Sequence, residues 1–312
     1  MNIISRHKRI FIDGEAGTTG LGLRQRLAER SDMKLLAIDA DKRKDPEAKR
    51  ALLHEADVVI LCLPDDAARA TVALVDDLAG QGPRVLDAST AHRTAAGWVY
   101  GFPELDSAQP QLIADAARVA NPGCYATGAI ALIHPLVAAG LIAPDMPLAL
   151  NAVSGYSGGG KSMIAAYESG HAPAFELYGL NFRHKHLPEI TRHAGLRQTP
   201  VMIPSVGNFA QGMLVSLPLH LDALPGRPGA VALHEALQRH YAGAHYVKVM
   251  APGLNPERLE PQALNDSNMM ELFVFSPAEG REALLVARLD NLGKGASGAA
   301  VQNLDLMLGG PR

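Results

Sequence analysis

The chain has 312 residues, 47% hydrophobic and 20% charged, which excludes a disordered chain and allows a sizeable core in two domains. Its formal net charge of −3 leaves no basic footprint for nucleic acid, and no apolar run has the length of a signal peptide or a membrane span. Its two cysteines, Cys62 and Cys124, do not make a disulfide framework, so a cytoplasmic protein is expected.

In chain order, the first half alternates strand and helix patterns. An apolar strand at residues 9–13 runs into Gly14-Glu15-Ala16-Gly17-Thr18-Thr19-Gly20, which opens a helix to about residue 30. Strands are expected at 33–39, 58–63 and 84–88, with helices at 46–56 and 65–78. This order implies a Rossmann-like parallel sheet with helices on both faces. The glycine spacing G-x-x-G-x-x-G departs from the usual dinucleotide fingerprint, but its place between first strand and first helix is the right one. A plain structural turn is the alternative. Asp39 suits the ribose hydroxyls of NAD, while Lys42, Arg43 and Lys44 suit a 2′-phosphate or are simply a solvated loop. Cys62 lies in the apolar run 58–63 and reads as a core strand residue.

A strand at 118–120 leads into Asn121-Pro122-Gly123-Cys124-Tyr125-Ala126-Thr127. The cysteine stands where a turn becomes a helix, and Pro135 should kink that helix. A thiol in a first helical turn faces orphan N–H groups and the positive end of the helix dipole. Both favour a thiolate, and the same groups can cradle an oxyanion. The plain alternative is a buried cysteine acting as a small hydrophobe.

The second half has strand character at 147–153, 201–204, 213–221, 246–250, 269–276 and 283–289, with a helix near 230–241. A mixed, largely antiparallel sheet with helices on one face is expected, giving an α+β catalytic domain. Residues 154–161, Ser-Gly-Tyr-Ser-Gly-Gly-Gly-Lys, read as a flexible loop. In His184-Lys185-His186-Leu187-Pro188-Glu189 a short helix starting near Pro188 presents Glu189 near His186. The group suits acid–base work, more weakly a metal, or is a polar loop. After residues 290–298 the chain ends in a helix to about residue 308.

Taken together, residues 15–20, 121–127, His186-Leu187-Pro188-Glu189 and 293–303 resemble N-acetyl-gamma-glutamyl-phosphate reductases, in their shorter, type 2 form. The resemblance covers essentially the whole chain. It implies NADPH-dependent reduction of an N-acetylglutamyl phosphate to its semialdehyde, in arginine biosynthesis. It also implies that Cys124 is the nucleophile, His186 the acid–base group and Glu189 its acidic partner. Gly14, Gly17, Thr18, Thr19, Gly20, Arg43, Pro64, Asn291 and Gly295 are then expected to bind the cofactor. Arg93, Ser154 and Gly155 are the candidates for the substrate, and no metal is expected. His184, outside the match, is expected to tolerate replacement by asparagine. The implied domains are 1–123, with the terminal helix 293–312 returning to it, and 124–292 for catalysis and dimerisation. A homo-oligomer, dimer or tetramer, follows by the same resemblance. A reductase of a neighbouring acyl phosphate such as aspartyl phosphate, a cysteine hydrolase or acyltransferase, and an inactive dinucleotide sensor remain alternatives.

Overall fold

The computed structural model describes residues 7–43, 45–252 and 256–310, so Lys44 lies outside the described residues. The chain divides into two compact units. The first holds the residues up to Gly101, Pro110–Asn121 and those from Ala299 on; the second holds Phe102–Gln109 and Pro122–Gly298.

In the first unit, β1 (Lys8–Asp13), α1 (Thr18–Leu27), β2 (Met33–Leu36), α2 (Pro46–Glu55), β3 (Val58–Leu61), α3 (Asp65–Asp76) and β4 (Arg84–Asp87) follow one another. Then come β5 (Val99–Tyr100), α4 (Gln109–Asp115) and β6 (Arg118–Ala120). Among the described residues these strands form one sheet in the order β2-β1-β3-β4-β6-β5, with every pair parallel. β3 is buried along its whole length, as a strand covered on both faces must be. One covering layer includes Leu23, Leu27, Leu304 and Met307; the other includes Leu53, Ala68, Val72 and Val75. β3 ends at Leu61, so Cys62 is the first residue beyond the strand rather than part of it. β2 likewise stops at Leu36, which leaves Asp39 in the following turn.

The second unit starts with α5 (Cys124–Ala138), β7 (Ala149–Gly155), α6 (Gly160–Glu168), β8 (Phe175–Leu177), α7 (Leu187–His193), β9 (Val201–Gly207) and β10 (Met213–His220). It continues with α8 (Ala230–His240), β11 (Val247–Val249), β12 (Met270–Phe275) and β13 (Glu282–Leu289); α9 (Gly298–Met307) closes the chain. The sheet order is β11-β12-β13-β10-β7-β9-β8. Four of its pairings are antiparallel; β7 with β9 and β11 with β12 are parallel. Residues 154–161 are not a flexible loop. Ser154 and Gly155 finish β7, a 3-10 turn takes Tyr156–Gly159, and α6 begins at Gly160.

α5 is the most apolar helix of the unit, with residues 125–133 all buried. Pro135 sits inside it without ending it. A proline has no N–H to give the carbonyl four residues earlier. Here the Tyr241 hydroxyl donates to that Ala131 carbonyl at 2.9 Å, replacing the missing donor from the end of α8.

Candidate active site

The turn before α5 brings a partly buried Cys124 to the first position of the helix, although the nine residues after it are buried. The first intrahelical bond runs from Thr127 N–H to the Gly123 carbonyl at 2.8 Å. The N–H groups of Tyr125 and Ala126 therefore find no acceptor within the helix, and they point out of its open end. The Gly123 N–H itself donates to Glu189 Oε2 at 3.1 Å. Glu189 is 1% exposed and lies in the first turn of α7, whose N-cap residue is His186. The carboxylate thus clamps the head of the cysteine helix to the histidine helix. Gly295 closes the other side, since a Cβ there would stand 2.8 Å from Cys124 Cβ. It belongs to a π-helical turn, Gly293–Ser297, in which Gly295 N–H donates to the Asp290 carbonyl and Ser297 N–H to the Leu292 carbonyl. Such wide turns place backbone where an α-helix would not.

His186 is buried, with its ring 6.0 Å from the Tyr125 ring and 4.7 Å, edge to face, from the ring of His184. His184 therefore packs directly against His186. Tyr125 is also buried, and burial, Tyr178 and the Cys124 thiol hold its phenol well above the ordinary range. Ser154 is 2% exposed, reaches the Tyr125 hydroxyl and donates to the Gly155 carbonyl at 3.0 Å. A Cβ on Gly155 would meet the Ala210 carbonyl at 2.6 Å. Asn291 ties this wall together: Gly212 N–H donates to its Oδ1 at 2.8 Å, and its Nδ2 donates to Ser157 Oγ at 2.9 Å. Cys124, Ser154, Gly155, His186, Glu189, Asn291 and Gly295 all belong to the second unit.

The other predicted site residues belong to the first unit. Gly14 has φ +94°, and a Cβ on it would collide with the Cys62 carbonyl oxygen. A Cβ on Gly20 would collide with the Gly14 carbonyl oxygen, whereas Gly17 has room, 3.5 Å from its nearest neighbour. The loop is thus drawn tight at both ends. Gly17 caps α1 without a side-chain hydrogen bond, and Thr18 and Thr19 begin a helix with no acidic residue in its first turn. A bare helix N-terminus behind a glycine cradle fits a dinucleotide pyrophosphate. Pro64 is the N-cap residue of α3. Arg93 follows β4, is nearly buried and donates to the Ala88 carbonyl at 3.3 Å.

One cation missed in the sequence, Arg24, shares Glu15 of the glycine loop with Arg43. Glu15 accepts from Arg24 at 3.0 Å and from Arg43 at 3.1 Å. Arg24 lies one helical turn beyond Gly20, the cue that spacing offered. Lys42, by contrast, is paired with Asp39 at 3.0 Å. Among the described residues, no three His, Cys, Asp or Glu side chains converge as a metal site, and no helix is long and apolar enough to cross a membrane.

The pairing of a parallel-sheet unit with a cysteine-headed helix on a mixed sheet defines the semialdehyde dehydrogenase class. Residues 9–113 match the family model described as "Semialdehyde dehydrogenase, NAD binding domain", and residues 124–291 match "Semialdehyde dehydrogenase, dimerisation domain". The fold is shared with aspartate semialdehyde dehydrogenase of Francisella tularensis, at TM-score 0.72 and 13% identity over 96% of this chain and 100% of that one. A Candida albicans aspartate semialdehyde dehydrogenase solved with NADP has TM-score 0.66 at 14% identity, covering 97% and 98%. Sequence is more specific. An N-acetyl-gamma-glutamyl-phosphate reductase of Chelativorans sp. (strain BNC1) is 54% identical, covering 97% of this chain and 99% of its own. N-acetyl-gamma-glutamyl-phosphate reductase 2 of Pseudomonas putida is 52% identical, covering 96% of both. The chain belongs to the N-acetyl-gamma-glutamyl-phosphate reductase family.

Proposed function

We propose that the chain reduces N-acetyl-gamma-glutamyl phosphate to N-acetylglutamate semialdehyde with NADPH, releasing phosphate through a Cys124 thioester, as a step of arginine biosynthesis. The observation that carries the reading is the half-open Cys124 at the head of α5, with Glu189 of the His186 helix holding that head. The Cys124 thiolate attacks the acyl phosphate carbon; the carbon–oxygen bond to phosphate breaks and inorganic phosphate leaves. First-turn N–H groups of α5 hold the oxyanion. Held at the glycine loop with its nicotinamide toward Asn291 and Gly295, NADPH would supply the hydride that the thioester carbon needs. His186 delivers a proton as the thiohemiacetal collapses, giving the aldehyde and restoring the cysteine. Glu189 positions His186 by fixing the first turn of α7. Arg93, Ser154 and Gly155 are assigned to the substrate.

We assign the cofactor to Gly14, Gly17, Thr18, Thr19, Gly20, Arg43 and Pro64, with Asn291 and Gly295 at the nicotinamide end. The dinucleotide role falls to residues 1–123 with 293–312, and catalysis and dimerisation fall to 124–292, in a cytoplasmic dimer or tetramer. The open face of the second sheet supports self-association: Val201 is 49% exposed and pairs with Ala149, and Leu284 is 40% exposed and pairs with Pro218.

The direct test is NADPH formation from NADP, phosphate and N-acetylglutamate semialdehyde, run beside aspartate semialdehyde. Faster turnover of the acetylated substrate is expected; preference for aspartate semialdehyde would overturn the reading. For the cofactor, Lys42→Ala with Arg43→Ala is expected to weaken NADPH binding and leave NADH binding nearly unchanged. Lys42 is paired with Asp39 and Arg43 with Glu15, so the single variants Lys42→Ala and Arg43→Ala should divide that loss between them. Fluorescence titration with both nucleotides reads the difference, and equal losses for both would remove Arg43 as the discriminator. His186→Asn is expected to depress turnover while NADPH still binds, and to flatten one limb of the pH–rate profile. Glu189→Gln, which can still accept from Gly123, should cost less. An unchanged pH profile in His186→Asn would count against the proton role.

A further inference from the structure

We propose that His184 is a positioning residue for His186, held in the required tautomer by a one-directional hydrogen-bond chain through Tyr178 and Tyr125. The inference rests on the acid–base assignment of His186. Its direction comes from the two ends of the chain. At one end the His186 backbone N–H, which can only donate, is 3.2 Å from His184 Nδ1. That nitrogen must accept and so carries no proton. In the neutral ring the proton is on Nε2, which is 3.4 Å from the Tyr178 hydroxyl. The Tyr178 and Tyr125 hydroxyls lie within hydrogen-bonding reach of each other, and the Ser154 hydroxyl also reaches Tyr125; because the single proton of Tyr125 goes to a carbonyl, Tyr178 is left as the donor between the two phenols. At the far end the Tyr125 hydroxyl donates to the Ser205 carbonyl at 2.9 Å, and a carbonyl can only accept. With both ends fixed, every proton points the same way: from His186 N–H to His184, from His184 to Tyr178, from Tyr178 to Tyr125, and from Tyr125 to β9.

Burial raises both phenols above the ordinary range and keeps them protonated, so each has one proton to give. The far anchor is firm as well. Ser205 is buried in β9 between β7 and β8, and its Oγ donates to the Ala152 carbonyl at 2.8 Å. The rings follow the same path. His184 is edge-on to His186 at 4.7 Å and to Tyr125 at 5.6 Å, so its imidazole fills the space beside both. Tyr125 directly follows Cys124, which means one chain of four side-chain and backbone links ties the N-cap of α7 to the first turn of α5 and to the sheet. A shift of about 1 Å in a reacting group can cost roughly 10²-fold in rate, and this chain is what resists such a shift at His186.

The test compares His184→Ala, His184→Asn and Tyr178→Phe, reading kcat, KM, NADPH affinity and melting temperature. An asparagine Oδ1 can take the place of Nδ1 as the acceptor for His186 N–H. His184→Ala is expected to lower kcat by roughly 10²-fold with KM and NADPH affinity near wild type. His184→Asn should recover most of that loss, and Tyr178→Phe should fall between. Placed in a His186→Asn background, His184→Ala should add no further loss, because it acts through the missing imidazole. Wild-type kcat in His184→Ala, no recovery in His184→Asn, or the same fold loss in both backgrounds would overturn the proposal. Should His184→Ala fail to fold, His184→Asn and Tyr178→Phe decide: both at wild-type kcat, or both as slow as His186→Asn, would overturn it. A fully active His186→Asn enzyme would strike the acid–base assignment first, and that result is separate from the others.

Discussion

Cys124→Ser is expected to lower reductase turnover by several orders of magnitude while leaving NADPH binding and melting temperature near wild type. The hydroxyl keeps the shape of the thiol but forms an alkoxide far less readily than the thiol forms a thiolate. The cysteine heads a helix, where the positive end of the helix dipole favours a thiolate. Cys62 is the internal control. Burial, Asp87 and Asp13 push its thiol up to about 12, so it stays protonated at neutral pH. Iodoacetamide should therefore modify Cys124 and inactivate the enzyme, with Cys62 unlabelled in the folded protein. Cys62→Ser should instead cost stability, through a hydroxyl placed against the core. Near-normal turnover in Cys124→Ser, or labelling confined to Cys62, would rule out the thioester.

The largest stability effect is expected at Lys294. Its ammonium is buried, 2.8 Å from each oxygen of Glu104, and lies over the rings of Phe102 at 5.6 Å and Tyr246 at 5.3 Å. Burial lowers its pKa and the nearby carboxylate opposes that shift. Lys294→Met removes the cation and leaves the buried Glu104 carboxylate without its ammonium, a change worth about 3–5 kcal/mol. Denaturant melts should show that loss. Adding Glu104→Leu should return much of it, since two apolar side chains of similar size need no pairing. A loss under about 1 kcal/mol, in the range of exposed pairs, would mean that the pair is solvated in solution. Lys294 is adjacent to Gly295, so the same ion pair steadies the turn that touches Cys124.

The sequence made the alternation of the first unit legible because each strand is a short apolar run between turn signals. Val58–Leu61 and Arg118–Ala120 are plain examples. It overran at residues 37–39 and by one residue at Cys62, which follows the end of β3 although its N–H still donates to the Asp13 carbonyl at 2.7 Å. Residues 154–161 misled in the opposite sense. Glycine and serine composition suggests mobility, yet Gly155 and Gly158 are small because Ala210 and Ser154 stand against them. The candidate site was legible where one segment carried its own geometry, as with Cys124 after Pro122-Gly123. Glu189 also makes a contact that its own segment does not announce: its carboxylate accepts from Gly123, 66 residues away in the chain. Long-range pairs such as Lys294 with Glu104, and Glu15 with Arg43, leave no periodic trace, because each partner alone reads as an ordinary surface charge.

The Tyr241–Ala131 bond also has a kinetic side. A helix ordinarily completes its own ladder from residues three or four positions away, so it can form as a local event. α5 lacks one rung at Pro135, and the group that fills it arrives 110 residues later in the chain. The helix headed by Cys124 is thus completed only once α8 has docked, which turns a low-contact-order element into a high-contact-order one. During synthesis the thiol is made early, but its helix is finished only after most of the second unit has emerged. Tyr241→Phe should leave the folded site in place and slow its acquisition, and refolding rates of the purified chain would show the delay.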